Sequence, residues 1–241
     1  MKISANTNRP QQISGMTDSE NDLVCQVYMD LFRTKDPLSA DTTISISQED
    51  MLANLRILYA VCAKVFPETG YCQGINYISV IFYKIMKTGA ANSHEAEQMA
   101  FKCMIAFILK KKLKGLYVKK VNEYHLQNFM LKQLLKQHLP ALHTHLVKSL
   151  QMQTEMVTTQ WILTMFTGWI SDQRYILPIL DNFMIPMDGK VEKRENEIGD
   201  TKQRNLDNSR RSWIFIFSVI LALFKFNEEK LLKMGDFGVV A

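Results

Sequence analysis

Apolar side chains return every three or four residues along most of this 241-residue chain. That is the period of one face of an α-helix. Met51, Leu52, Leu55, Leu58, Tyr59, Cys62 and Val65 form the clearest stripe. The two-residue alternation of a half-buried strand competes only briefly, at Thr42 to Ser47. Start signals agree with the periodicity. Thr17-x-x-Glu20 resembles a capping box, Ser47-x-x-Asp50 resembles another cap, and Asn92 and Ser93 can cap a third helix.

The pattern predicts an all-α fold: a single multi-helical domain over residues 17–241, behind a polar N-terminal tail at 1–16. Nine or ten helices are expected. The first runs from the Thr17 cap to about Thr34, and the second ends near Phe66-Pro67. A third spans about Gln73 to Met86 and a fourth His94 to Lys111. Others cover Glu123 to His138, Pro140 to Leu150, Thr154 to Ile170 and Arg174 to Met184, with Pro178 near a first turn or kink. The Trp213 helix and a last one near Asn227 to Met234 close the chain. Between them, about 188–211 carries thirteen charged side chains and almost nothing to bury, so it reads as a flexible, exposed insertion.

Composition narrows the function classes. Apolar residues make up 47% and charged residues 22%, which excludes wholesale disorder. A chain of this length buries a core without disulfides or metals. The net charge of +5 is mild and demands no acidic partner. Cys25, Cys62, Cys72 and Cys103 form no C-x-x-C pair, so reduced thiols in a cytosolic protein are expected and a zinc site is not. The N-terminus has no apolar leader, and no N-x-[ST] acceptor occurs. The longest apolar run, Trp213 to Phe224, is too short to span a bilayer, which takes roughly twenty residues. No P-loop, G-x-G-x-x-G, H-E-x-x-H, G-x-S-x-G or EF-hand pattern is present. The basic run Lys110-Lys111-Lys112-Leu113-Lys114 reads first as a solvated helix end, with an acidic partner or anionic lipid as the alternative. Aromatics are not interleaved with it, so nucleic acid is not expected as a partner.

Two segments do not look like plain core. In Val27-Tyr28-Met29-Asp30-Leu31-Phe32-Arg33-Thr34, Asp30 and Arg33 are three apart and therefore neighbours on a helix. Read alone, they are a surface ion pair of little worth. In Gly70-Tyr71-Cys72-Gln73-Gly74-Ile75-Asn76, two glycines bracket an uncharged polar triplet at the mouth of an apolar helix. Read alone, that is a helix-to-helix turn.

Forty positions separate Arg33 from Gln73, and together the segments resemble the paired motifs of the TBC-type GTPase-activating domain for Rab GTPases. The first motif of that family reads I-x-x-D-x-x-R, matched here by Val27, Asp30 and Arg33. The second reads Y-C-Q-G-M-N, matched by Tyr71-Cys72-Gln73-Gly74-Ile75-Asn76, with isoleucine for methionine. The likeness continues. Residues 139–146 resemble the family's P-x-L-x-x-H-L, Trp161 to Phe166 its W-F-L-T-L-F, and Asp181 an aspartate that closes the next helix. The segments after Leu221 resemble its closing helices. Coverage is about residues 20–235.

The resemblance implies an all-α domain that is no enzyme itself but an activator of one. Arg33 is implied as an arginine finger and Gln73 as a glutamine finger, both entering the site of a bound Rab-family GTPase. Asp30 is implied to aim Arg33, while Tyr71, Gly74 and Asn76 shape the loop that presents Gln73. No cofactor of its own follows, since GTP and Mg²⁺ belong to the partner, and no residue is implied as a metal ligand. Vesicle trafficking, a cytoplasmic place or one at the cytosolic face of endomembranes, and peripheral membrane association go with this reading. The alternative is a catalytically silent TBC-like interaction or structural subunit of a larger assembly.

Overall fold

The computed structural model describes residues 15–39, 41, 43–118, 122–170, 172–184 and 200–235. Among them are eleven α-helices and no strand, so the all-α reading holds. Most of the expected tail lies outside the described residues.

Helix α1 (Asp18–Arg33) starts as its cap predicts: the Thr17 hydroxyl accepts from the Glu20 amide, and the Glu20 carboxylate accepts from the Thr17 amide at 3.0 Å. Helix α2 (Gln48–Tyr59) begins at Ser47, whose hydroxyl accepts from the Asp50 amide at 3.1 Å. It then widens into a π-helical stretch, Ala60–Val65, ending before Phe66. Helix α3 (Ile75–Gly89) packs against α1, α2, α4 (Ser93–Lys110) and α8 (Glu155–Thr164). It is the central helix, and its Ile78, Val80, Ile81 and Tyr83 are fully enclosed. Burying each such aliphatic side chain contributes about 1.5–3 kcal/mol.

The second half follows with α5 (Lys114–Tyr117), α6 (Asn122–His138), α7 (Pro140–Thr144) and a π-helical turn, His145–Ser149. After α8 come α9 (Gln173–Met184), α10 (Asp200–Phe226) and α11 (Glu228–Leu232). Trp161 anchors this half, its ring near those of Phe166, Trp169 and Phe224 at 5.1–5.9 Å between centroids.

Three expectations need correction. The helix expected from Thr154 to Ile170 stops at Thr164, because Met165 (φ 47°) and Phe166 (φ 66°) turn left-handed. The charged stretch at 188–211 is helical over its last twelve residues, where α10 begins. Ser209, near the end of that stretch, is buried and donates to the Lys111 carbonyl at 3.0 Å. Residues 188–199 lie outside the described residues. Lastly, Lys111 is no solvated member of the basic run. It is buried, with its ammonium donating to the Ser212 hydroxyl at 2.9 Å and lying 5.5 Å from the Phe183 ring centroid. Asp181 lies in the last turn of α9 and is exposed. Among the described residues, no helix is long and apolar enough to cross a membrane.

Candidate functional site

The last turn of α1 and the turn before α3 meet around one buried carboxylate. Asp30 is only 7% exposed, although it sits on the first helix's outer end. Its Oδ1 accepts from Arg33 Nη2 at 2.7 Å, and its Oδ2 accepts from the Tyr71 hydroxyl at 2.8 Å. A buried carboxylate is costly unless its lone pairs are satisfied, and these two donors come from the two sequence motifs. Burial and the neighbouring Asp30 charge push the Tyr71 phenol far above its ordinary pKa, so it stays protonated and keeps donating.

A second cross-link lies one residue beyond Arg33. The Thr34 hydroxyl donates to the Asp30 carbonyl at 2.7 Å and accepts from Asn76 Nδ2 at 2.9 Å. The other end of the Asn76 amide accepts from the Gly74 backbone N–H at 2.9 Å. Thr34 and Asn76 are both buried. Asn76 therefore ties the end of α1 to the loop that carries Gln73. The family resemblance implies a loop-shaping part for Asn76 and none for Thr34. A hydroxyl just past a helix end, able to bond the carbonyl four residues back, is the signal that points to it.

The third helix was expected from about Gln73. It starts at Ile75, because Gly74 has φ +115°, a conformation foreign to a helix and strained for any residue with a side chain. A Cβ on Gly74 would also sit 3.1 Å from the Leu163 Cβ and 3.3 Å from the Leu163 carbonyl oxygen. Close approach to the end of α8 is thus the second reason for glycine. Tyr117 fixes that wall from behind, its hydroxyl donating to the Leu163 carbonyl at 3.1 Å.

Beneath this scaffold the two candidate fingers face solvent. The Arg33 side chain is 65% exposed, steadied by Asp30 and by a bond from Nε to the Met29 carbonyl at 3.2 Å. Gln73 is exposed on the turn. The supporting residues Asp30, Tyr71, Gly74 and Asn76 are all buried. The loop after Arg33 is pinned in turn. Ile46 N–H donates to the Thr34 carbonyl at 3.3 Å, and Lys84 Nζ reaches Asp36 at 2.5 Å and Asp50 at 3.1 Å. No group of three or more His, Cys, Asp or Glu side chains among the described residues is placed to hold a metal ion.

The architecture is that of an all-helical domain which presents a guanidinium and a carboxamide on two hydrogen-bonded segments. The chain belongs to the Rab-GTPase-TBC domain family, which matches residues 2–232. It is 27% identical over 212 residues to mouse TBC1 domain family member 2A, covering 88% of this chain and 19% of that protein. It is 24% identical over 219 residues to mouse TBC1 domain family member 2B, covering 91% and 19%. A Rab GTPase-activating protein of Caenorhabditis elegans, tbc-11, is 30% identical over 117 residues, 48% of this chain and 11% of that protein. The chain thus spans a fifth or less of the length of these relatives. Family and relatives together support a role of the Rab GTPase-activating type.

Proposed function

We propose that this chain accelerates GTP hydrolysis on a Rab-family small GTPase by inserting Arg33 and Gln73 into the partner's nucleotide site. The observation that carries the reading is the pairing of exposed tips with a buried, fully bonded base. Asp30 accepts from both motifs at once, so the two reactive groups share one support.

The chemistry follows from what GTP hydrolysis requires. Charge builds on phosphoryl oxygens, and a water must be aligned for in-line attack. The Arg33 guanidinium carries permanent charge in a planar fork suited to phosphate oxygens. The Gln73 amide accepts from a water and donates to a phosphate oxygen together, which orients the nucleophile. GTP and Mg²⁺ belong to the GTPase, and this chain brings no cofactor. It acts as an activator with no turnover of its own, in the cytoplasm or at the cytosolic face of endomembranes. The solvent exposure of Arg33 favours activation over a silent docking subunit.

A panel of GTP-loaded Rab GTPases tests this. At least one member is expected to hydrolyse GTP about 10³–10⁵ times faster with the wild-type chain, equivalent to roughly 4–7 kcal/mol of barrier. Hydrolysis at the intrinsic rate across the whole panel contradicts the proposal.

A further inference from the structure

A groove of about 740 Å³ opens directly beside Arg33, between the end of α1 and the returning loop at 35–46. Its floor is Tyr28, Leu31 and Met51, all buried, and its rim carries Phe32, Lys35 and Ile46. Phe32 is 51% exposed, one residue before Arg33 and one helical turn after Tyr28. Ile44, on the adjoining loop, is 48% exposed. The described residues of that loop are tied together. Lys35 Nζ donates to the Thr43 carbonyl at 2.8 Å, the Asp36 amide donates to the Ile44 carbonyl at 2.9 Å, and an isolated bridge joins Lys35 to Ser45.

We infer that this groove receives an apolar side chain from the GTPase loop that lies over its γ-phosphate, with Phe32 as the central contact. The inference rests on the finger reading of Arg33. An arginine side chain reaches only a few ångströms past its own backbone, so a phosphate that meets its tip brings the partner's surface onto Phe32 and the groove. Exposed aromatics at the centre of an interface are frequent anchors of binding. Tyr28, Leu31, Phe32, Ile46 and Met51 give the groove apolar surface suited to an apolar insert, and the Lys35 ammonium is turned to its own loop, where it donates to the Thr43 carbonyl. GTPase loops around the γ-phosphate are ordered when GTP is bound and released after hydrolysis. Phe32 therefore selects the GTP-loaded partner and, through the shape of the inserted side chain, discriminates among GTPases. It is a specificity-determining residue that acts on binding, while Arg33 acts on the chemical step.

The test uses the GTPase that the wild-type chain activates, and, for binding, each panel member loaded with a non-hydrolysable GTP analogue. Phe32→Asp and, separately, Ile44→Asp are expected to raise KM at least tenfold with kcat kept within twofold, and to weaken binding of the analogue-loaded GTPase by the same factor. Both side chains are half exposed, so the melting temperature of each variant checks that the fold is intact. If the wild type activates and both variants keep its KM, the groove inference is overturned and the finger reading stands. If no panel member is activated but an analogue-loaded one binds and Phe32→Asp abolishes that binding, the groove inference stands without the finger reading. If none is activated and none binds, both are overturned.

Discussion

Tyr71 donates its hydroxyl to Asp30 Oδ2 at 2.8 Å across forty-one positions of sequence. The same carboxylate holds Arg33 at 2.7 Å through its other oxygen. One buried acid thus couples the arginine segment to the glutamine segment, and each neighbour of that acid has a measurable part.

Removing the tyrosine hydroxyl leaves a buried carboxylate oxygen without its donor. Tyr71→Phe is expected to lower unfolding stability by about 1.5–3 kcal/mol, the usual worth of a hydrogen bond to a charged group. Chemical denaturation reads this directly. The activated hydrolysis rate is expected to fall as well, because Asp30 no longer aims Arg33 from a fixed position.

Asp30→Asn keeps the shape of the support but removes its charge. Arg33 then loses its ion pair while staying exposed. The expected result is a fall in kcat of roughly tenfold or more with KM little changed, since about 1.4 kcal/mol of lost transition-state stabilisation gives that factor. Steady-state kinetics on the activated GTPase separates the two parameters.

Gly74→Ala is expected to destabilise the domain by about 1–3 kcal/mol. The reasons are the φ of +115° and the 3.1 Å approach to Leu163 Cβ. Thermal unfolding checks it. A neutral or stabilising result contradicts the geometry given for this turn.

Lys111 supplies a pH signature away from the site. Burial, then the nearby Lys110 charge, pulls its ammonium down from 10.5 to about 8. Its folded-state pKa lies below the unfolded one, so the unfolded chain binds more protons between those values. Stability attributable to this group therefore rises as pH climbs from about 8 towards 10.5. Lys111→Met is expected to abolish that rise, as measured by denaturant midpoints at pH 7.5, 9 and 10.

Much of this was legible in the amino-acid order, for local reasons. The caps at Thr17, Ser47 and Asn92 are read from short-range hydrogen bonding, and all three form. The ends of α1 and α6 follow the apolar period closely. The illegible features depend on distant neighbours or on backbone that no periodicity records. The left-handed turn at Met165 and Phe166 interrupts a stripe that still looks helical. The π-helical stretches at Ala60–Val65 and His145–Ser149 follow wholly apolar or mixed sequence without a marker. Lys111 is buried because α9 and α10 close over it, a fact of tertiary packing. At the candidate site, the types and spacing of Asp30, Arg33, Tyr71, Gln73 and Asn76 were visible in sequence, and the structure adds the bonds among the buried ones. Thr34 was passed over because its role appears only once Asn76 lies against it.

The most direct test is a double-variant cycle in single-turnover GTP hydrolysis, with Arg33→Lys and Gln73→Ala alone and together on the GTPase the wild type activates. If both tips act in one transition state, each single change removes most of the acceleration and the double change costs far less than their sum. Wild-type acceleration surviving either single substitution contradicts the account.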